Sequence, residues 1–178
     1  MALEIERRFL IDQTKLPHLP NSRFFEMTQG YLGKGVRVRL STTHYTRLDV
    51  GSVGNTNGYL TVKRTISHGT NKEFEYEIPS EDAAELLAMC EFTLTKMRYH
   101  YPVGRHIFEI DLFTGSLNGL VIGEIELGSI DEAVDIPSWF GVEITGNSDF
   151  SNSQLALMPD KNEILDYAQD MLNHPDNI

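Results

Sequence analysis

Residues 3–10 read Leu-Glu-Ile-Glu-Arg-Arg-Phe-Leu, a run in which charged and apolar residues alternate at first. The side chains of a β-strand alternate between two faces, so an extended chain here places Glu4, Glu6 and Arg8 on the same face. Two carboxylates one pleat apart are separated by roughly 7 Å, and at an effective dielectric constant of about 20 they repel each other by about 2 kcal/mol. Solvent cations, Arg8 or a bound divalent metal can each offset this repulsion, and an isolated motif of this kind is also typical of a solvated edge strand.

The same two-residue spacing of charge recurs along the chain. Its members are Arg37 and Arg39; Glu73, Glu75 and Glu77; Lys96 and Arg98; Glu109 and Asp111; and Glu124 and Glu126, with Lys63 alone in the run 59–65. Alternation by itself is typical of any half-exposed antiparallel sheet, but a solvated face usually mixes in Thr, Ser, Gln and Asn. A face composed of carboxylates and cations in strand after strand therefore indicates a functional charged surface.

Hydrophobic alternation and turn residues predict the secondary structure. Strands are expected at 3–11, 23–32, 36–43, 59–66, 72–78, 94–103, 106–113 and 121–128, with a shorter one at Val142–Thr145. One helix is expected to begin at Pro79–Asp82, and a C-terminal helix, with Asp160 and Glu163 as a capping box, to end by Pro175. The glycine- and asparagine-rich stretch Leu48–Gly58 is interpreted as a long mobile hairpin tip, because fixing such a backbone costs much entropy.

These elements predict an α+β fold that is mainly β: a closed eight-stranded antiparallel β-barrel that forms a charged tunnel, with a few flanking helices. Closure removes the unpaired edges of the sheet. A barrel of this size usually fills its interior with apolar side chains, whereas here the face shared by the strands is charged. We therefore expect apolar side chains outside, under helices and loops, and a charged lumen. Such a lumen suits a polyanion carried with a metal, since Arg and Lys bind phosphoryl oxygens and carboxylates hold Mg²⁺ or Mn²⁺.

Composition narrows the remaining possibilities. A length of 178 residues without a low-complexity linker predicts one domain over residues 1–178. The chain has no apolar run of eighteen residues and no signal-like start, so a cytoplasmic protein without a membrane partner is expected. The single cysteine, Cys90, excludes an internal disulfide and a thiolate zinc site. The net charge of −11 argues against a general nucleic-acid binder, and the oligomeric state is left open.

Taken in order, the motifs resemble a known family, the CYTH-domain proteins or triphosphate tunnel metalloenzymes. Their defining first-strand motif is E-x-E-x-K, matched here by Glu4, Glu6 and Arg8. The later family elements follow along nearly the whole chain as R-x-R, a lysine, E-x-E, K-x-R, an acidic pair and a second E-x-E, at the positions given above. Each motif alone is weak, and the ordered set is strong. Arg8 stands where the family usually has lysine, which keeps the charge but exchanges a compact ammonium for a planar fork.

The resemblance implies a single CYTH domain whose relatives hydrolyse triphosphates or, in one branch, cyclise ATP. By position it implies that Glu4, Glu6 and Glu126 are metal ligands, with Asp111 and Glu124 in or near the metal cluster. It implies that the phosphates are bound by Arg8, Arg37, Arg39, Lys63, Lys96 and Arg98. Tyr31 resembles a tyrosine that lines the tunnel beside the first-strand lysine in some short members. A second metal, or one of Glu73, Glu75 and Glu77, would orient and deprotonate the attacking water.

Three functions are compatible with the sequence. The first is a metal-dependent triphosphatase that acts on inorganic triphosphate or a similar small compound, with Mg²⁺ or Mn²⁺ as cofactor. The second is an adenylate cyclase of the same tunnel type, which converts ATP to cyclic AMP and pyrophosphate. The third is a non-catalytic binder of polyphosphate or nucleotide. The compact chain and its E-I-E-R-R start favour the first.

Overall fold

The computed structural model describes residues 3–19, 23–46, 51–129, 131–158 and 160–175. Within these residues the strands are β1 (Leu3–Leu10), β2 (Arg23–Gly33), β3 (Val36–Thr46), β4 (Gly51–Ser67), β5 (Thr70–Ile78), β6 (Thr93–Val103), β7 (His106–Phe113) and β8 (Val121–Glu126). The helices are α1 (Ser80–Ala88), α2 (Asn152–Leu157) and α3 (Lys161–Asn173), accompanied by short 3-10 turns at Gln13–Lys15, Gly115–Leu117 and Ser148–Phe150. None of the helices in the described ranges is both long and apolar enough to cross a membrane.

The eight strands of the described chain close into one antiparallel barrel in the order β1-β5-β4-β3-β2-β6-β7-β8. Consecutive strands are hydrogen-bonded neighbours from β2 to β5 and from β6 to β8, and β1 joins β5 to β8. The predicted fold class is therefore confirmed, including the C-terminal helix. Because side chains alternate along each strand, one parity of every strand points into the barrel.

One edge of β1 is shared between two partners. Residues Leu3–Ile5 pair with β5, and beyond them residues 141–144 run along the same edge. The amide of Leu10 donates to the carbonyl of Val142 at 2.8 Å, and the amide of Ile144 donates to the carbonyl of Arg8 at 2.8 Å. The prediction of a strand at Val142–Thr145 is wrong, because only Glu143 forms a bridge, with Phe9, before the chain turns away at Gly146, whose φ is +72°.

Strand β4 is longer than the sequence predicts. Residues 51–58 form its first half and pair with β3, with Thr42 opposite Thr56 and Ser41 opposite Asn57, so the predicted hairpin tip is wrong for these residues, and Leu48–Val50 lie outside the described chain. In this strand glycine allows close packing and does not make the backbone flexible. A Cβ on Gly58 would lie 2.7 Å from the Cβ of Ala83 in α1, so the strand and the helix touch through that glycine.

The outside of the barrel is apolar and is covered in two places. Helix α1 packs Ala83 and Leu87 on Val38. The other patch, on β1, β7 and β8, includes Phe9 and Phe108 and is covered by the segment after β8, where Phe140 stacks edge-on against both rings at 5.3 and 5.0 Å. Burial of this kind is the main driving force for holding the strands in register.

At one end of the barrel the inward-facing positions change from charged to apolar. These positions, referred to below as the floor, are Leu10, Leu94, Phe113 and Ile122, and all are buried. They pack in one cluster with α2, α3 and the turn that precedes α2. Helix α3 is fixed in this position by its N-cap, where Asp160 accepts a hydrogen bond from the amide of Asn162 at 2.9 Å, one residue short of the predicted partner Glu163. The charged lumen is therefore blind at this end.

Candidate active site

The site residues predicted from the sequence share the inward parity of the strands. The charged members, referred to below as the cage, are Glu4, Glu6, Arg8, Arg37, Arg39, Lys63, Glu73, Glu75, Glu77, Lys96, Arg98, Glu109, Asp111, Glu124 and Glu126. Cross-strand pairing places Glu6 opposite Glu126 and Arg8 opposite Glu124. The neutral Tyr31 lies opposite Arg37. The barrel thus brings the predicted residues together, although Glu77 and Glu126 are exposed towards the open end.

Two arginines on β3 and one carboxylate on β5 face each other across β4. Arg37 Nη2 lies 3.1 Å from Glu75 Oε2, and Arg39 Nη2 donates to the same carboxylate at 3.0 Å. Thr61, between them on β4, donates to Glu75 Oε2 at 2.9 Å. The Nε–H groups of Arg37 and Arg39 are buried, and no acceptor among the described residues reaches them. Buried donors without acceptors are costly, so this part of the cage has hydrogen-bonding capacity that an anion could use.

Lys63 lies among three carboxylates. Its ammonium contacts Glu4, lies 3.6 Å from Glu6 Oε1 and lies 3.3 Å from Glu73 Oε2. Burial lowers the pKa of Lys63, but the charges of Glu6 and Glu4 outweigh burial and the pKa is raised. Lys63 therefore stays protonated and neutralises the carboxylate pair of the first strand.

Asn71 also holds that pair, and the sequence reasoning missed it. Its Nδ2 donates to Glu4 Oε2 at 3.1 Å and to Glu6 Oε1 at 3.2 Å, while its Oδ1 accepts from Thr65 at 3.0 Å. The signal that would have revealed it is positional: Asn71 precedes Glu73 by two residues on β5 and shares its face.

The opposite wall of the cage is a buried ion-pair network. Arg98 donates to Asp111 Oδ1 and to Glu124 Oε2, each at 2.6 Å, and also contacts Glu109. Lys96, which is 1% exposed, contacts Asp111, which is 0% exposed. Asp111 thus has two cations as partners in this structure.

Burial and charge shift the pKa values of this wall in opposite directions. Burial lowers the pKa of Lys96 to about 8, and the neighbouring Arg98 acts in the same direction. Burial would raise the pKa of Glu124, but Arg8 and Arg98 outweigh it, and the pKa lies well below the usual value. Glu124 is therefore a fixed anion, whereas Lys96 titrates near neutrality.

The carboxylates nearest the open end have the chemistry of a hard-cation site. Burial raises the pKa of Glu6, and the charge of Glu124 raises it further. Burial also raises the pKa of Glu126, together with the charges of Glu109 and Glu4. Carboxylates that raise each other's pKa values have too little positive charge close to them. A divalent cation would supply that charge, and Mg²⁺ and Mn²⁺ prefer oxygen ligands.

The predicted metal ligands are not arranged as a finished metal centre. Within the described residues, no three carboxylates or histidines are positioned to hold an ion together. Lys63 contacts Glu4, and Asn71 bridges Glu4 and Glu6. The carboxylate oxygens of Glu4, Glu6 and Glu126 are of the donor type that a divalent cation prefers, and Glu4 is occupied by Lys63 in this structure.

Comparisons with known proteins agree with this geometry. No family model matches the chain. The chain is 36% identical over 168 residues to an inorganic triphosphatase of Acetivibrio thermocellus, covering 91% of this chain and 98% of that protein. It is 32% identical over 170 residues to an inorganic triphosphatase of Nitrosomonas europaea, covering 86% and 97%. It is also similar to the crystal structure of an inorganic triphosphatase with a TM-score of 0.58 at 28% identity, covering 90% and 98%.

The closed barrel and its cage of opposed charges define a β-barrel with a charged lumen. The likeness to the two curated relatives extends over most of each chain. The chain belongs to the CYTH, or triphosphate tunnel metalloenzyme, family. Triphosphatases of this fold are generally metal-dependent.

Proposed function

We propose that this protein is a metal-dependent triphosphatase that hydrolyses inorganic triphosphate or a similar small triphosphate. The observation that carries the proposal is the pair of buried Nε–H groups on Arg37 and Arg39, which have no acceptor within the described chain and face a lumen with a blind end. Its relatives bear the name inorganic triphosphatase. The substrate class is thus a short, highly charged anion that enters by the open end and ends against the floor.

The cations of the cage would bind the phosphoryl oxygens. Arg37 and Arg39 are held in parallel by Glu75 and Thr61, so they present their guanidinium groups in fixed orientations. Charge-assisted hydrogen bonds of this kind contribute about 1.5 to 3 kcal/mol each. Arg8, Lys63, Lys96 and Arg98 line the same lumen, and each is held by a carboxylate partner.

A divalent cation, Mg²⁺ or Mn²⁺, would be held by Glu4, Glu6 and Glu126, with Glu124 and Asp111 behind them. When bound, it would neutralise charge that develops on the phosphate oxygens. Asn71 would keep Glu4 and Glu6 aligned through its two hydrogen bonds. Lys63, released from Glu4, would be free to contact a phosphate.

Hydrolysis of a triphosphate requires little covalent chemistry from the protein. The cations of the cage stabilise the charge on the transferred phosphoryl group and on the departing pyrophosphate. Glu73, the most enclosed of the three β5 carboxylates, lies 3.3 Å from Lys63 through Oε2 and 3.6 Å from Arg37 through Oε1. It would accept a proton from water once Lys63 moves to the phosphate, while Glu75 stays engaged by two arginines.

The test is an assay of the purified chain with Mg²⁺ or Mn²⁺. We expect phosphate and pyrophosphate from inorganic triphosphate, no cyclic AMP from ATP, and loss of turnover in excess chelator. Formation of cyclic AMP would assign the protein to the cyclases instead. Binding of triphosphate by calorimetry without release of phosphate from any triphosphate would make it a non-catalytic binder.

A further inference from the structure

Gln29 lies inside the barrel at the junction between the cage and the floor. Its neighbours across the sheet are Arg39 on β3 and Leu94, a floor residue, on β6. The residue is 0% exposed. Its Nε2 donates to the hydroxyl of Tyr31 at 2.9 Å, and no donor among the described residues reaches its Oε1. A buried carbonyl oxygen without a partner is uncommon in a folded protein and indicates a missing ligand.

The chemistry of that oxygen restricts the ligand. A deprotonated phosphoryl oxygen has no proton to donate, so it cannot satisfy an amide carbonyl. The ligand must donate a hydrogen bond, and water is a donor small enough to share the lumen with a phosphate.

Tyr31 offers the complementary group beside it. Its oxygen accepts from Gln29, which leaves its own O–H to donate. Burial raises the pKa of Tyr31 to about 12, against the opposing charges of Arg37 and Arg8, so the hydroxyl keeps its proton at neutral pH. One acceptor and one donor therefore lie side by side at the blind end, within the field of the phosphate-binding cations.

We propose that Gln29 Oε1 accepts a hydrogen bond from the water that attacks the innermost phosphorus of the bound triphosphate. The inference rests on the proposed triphosphatase function and deepens it, because it places the reacting phosphate at the floor. Gln29 orients the water and does not take its proton, since an amide is not a base. Tyr31 fixes the amide by accepting from its Nε2.

The step balances without a further reactant. The water oxygen forms a bond to the innermost phosphorus, and the bond from that phosphorus to the bridging oxygen breaks. The electron pair of the broken bond stays on the departing pyrophosphate. One proton of the water remains on the new phosphate, and the other passes through a cage carboxylate to solvent.

The test compares Gln29→Met with Gln29→Glu. Methionine keeps the length of the side chain and removes both polar groups, so kcat should fall about tenfold or more. The dissociation constant of triphosphate, measured by calorimetry in chelator, should stay within threefold of wild type. Glutamate restores an acceptor at the same place, so kcat should recover part of the loss, while its negative charge raises KM. The control is Gln169→Met on the exposed face of α3, which should change neither quantity.

Other outcomes would overturn the inference. A kcat for Gln29→Met within twofold of wild type would show that Oε1 binds only a structural water. Triphosphate affinity that falls in parallel with kcat would show that the side chain binds phosphate through its NH₂ group. If Gln29→Met fails to fold by circular dichroism, Gln29→Glu decides, and a kcat of Gln29→Glu that is reduced tenfold or more would refute the role. Absence of hydrolysis by the wild-type chain would refute the proposed function itself, so the two failures are distinguishable.

Discussion

Arg8 Nε donates to Glu124 Oε1 at 2.8 Å across the β1–β8 pair. The other end of the same guanidinium donates from Nη2 to the carbonyl of Phe150 at 3.1 Å. Phe150 belongs to the cluster that closes the floor. Arg8, which stands where the family usually has lysine, therefore links the cage to the C-terminal part of the chain. The single ammonium group of a lysine is poorly shaped to reach both Glu124 and the carbonyl of Phe150.

Arg8→Lys should keep the charge beside Glu124 and lose the contact with Phe150. We expect the free energy of unfolding to fall by about 1 to 2 kcal/mol, because a buried carbonyl loses a charged donor. Urea unfolding measures this change. Arg7→Lys is the matched control, since Arg7 pairs with Glu143 on the outer surface and exposed pairs contribute little. Equal losses in the two variants would show that the link to Phe150 contributes nothing.

Glu4→Gln should raise the metal requirement. The substitution keeps the shape of a residue that contacts Lys63 and Asn71 and removes one metal-ligating charge. We expect the half-saturating Mg²⁺ concentration to rise about tenfold or more, with partial recovery of rate at high Mn²⁺. Activity titrated against metal concentration provides the measurement, and an unchanged titration curve would remove Glu4 from the metal site.

Arg39→Ala should weaken triphosphate binding in a way that added metal does not restore. The lost charge-assisted hydrogen bond corresponds to about 1.5 to 3 kcal/mol, which is about a tenfold to 150-fold rise in KM. Steady-state kinetics at several Mn²⁺ concentrations make the comparison. Arg105→Ala, on an exposed arginine outside the barrel, should have no effect. If added metal restored Arg39→Ala as well as it restores Glu4→Gln, the two residues would not have separate roles in binding phosphate and metal.

Triphosphate binding should weaken above about pH 8. The pKa of Lys96 is lowered to about 8, so the ammonium is charged below that pH and becomes neutral above it. Binding an anion favours the charged form, so the dissociation constant should rise with pH above about 8, by at most about tenfold per pH unit for one proton. Calorimetry in chelator at pH 7 to 10 tests this, and Lys96→Met should show weak binding with a flat profile. A wild-type profile as flat as that of the variant would show that Lys96 does not sense the ligand.

Gly35→Ala should damage both stability and the cage. Gly35 has a φ of +74°, and a Cβ there would overlap the carbonyl oxygen of Lys63, whose amide donates to Gly35 at 2.8 Å. We expect a loss of about 1 to 3 kcal/mol and weaker triphosphate binding, because Lys63 must move. Gly104→Ala is the control: its φ is +58° with open space around it, so it should cost stability alone. Unfolding free energies and binding measured on both variants separate strain from displacement.

The charged lumen was predictable because strand parity is strict. Once Glu4, Glu6 and Arg8 share a face, the same rule places Arg37, Lys96 and the rest, and the structure follows it. The extent of β4 was not predictable, because its glycine-rich half is held by a contact between Gly58 and Ala83 that local composition does not encode. The ion pairs depend on the tertiary fold, because the position of Lys63 in the sequence does not show that it lies between Glu4 and Glu73.

The floor can be recognised in the sequence, because the residues on the inward face of a strand change from charged to apolar towards one end. Leu10 continues the face of Glu4 and Glu6, and Ile122 precedes Glu124 by two residues, so the charged series ends in an apolar position. Sequence reasoning treated each charged pair separately and did not extend the face to these neighbours. What closes the end, the packing of α2 and α3, depends on tertiary contacts.

One end of the lumen is blocked by the floor residues Leu10, Leu94, Phe113 and Ile122. The substrate and both products must therefore pass through the same open end, and the product nearer that end leaves first. If the innermost phosphorus reacts, pyrophosphate forms nearer the open end and has to leave before the phosphate behind it can escape. Phosphate should therefore inhibit competitively with triphosphate, and pyrophosphate should inhibit in a mixed or non-competitive pattern. A linear chain of many phosphates would enter end first, with its remainder protruding into solvent and shortened only from the inserted terminus.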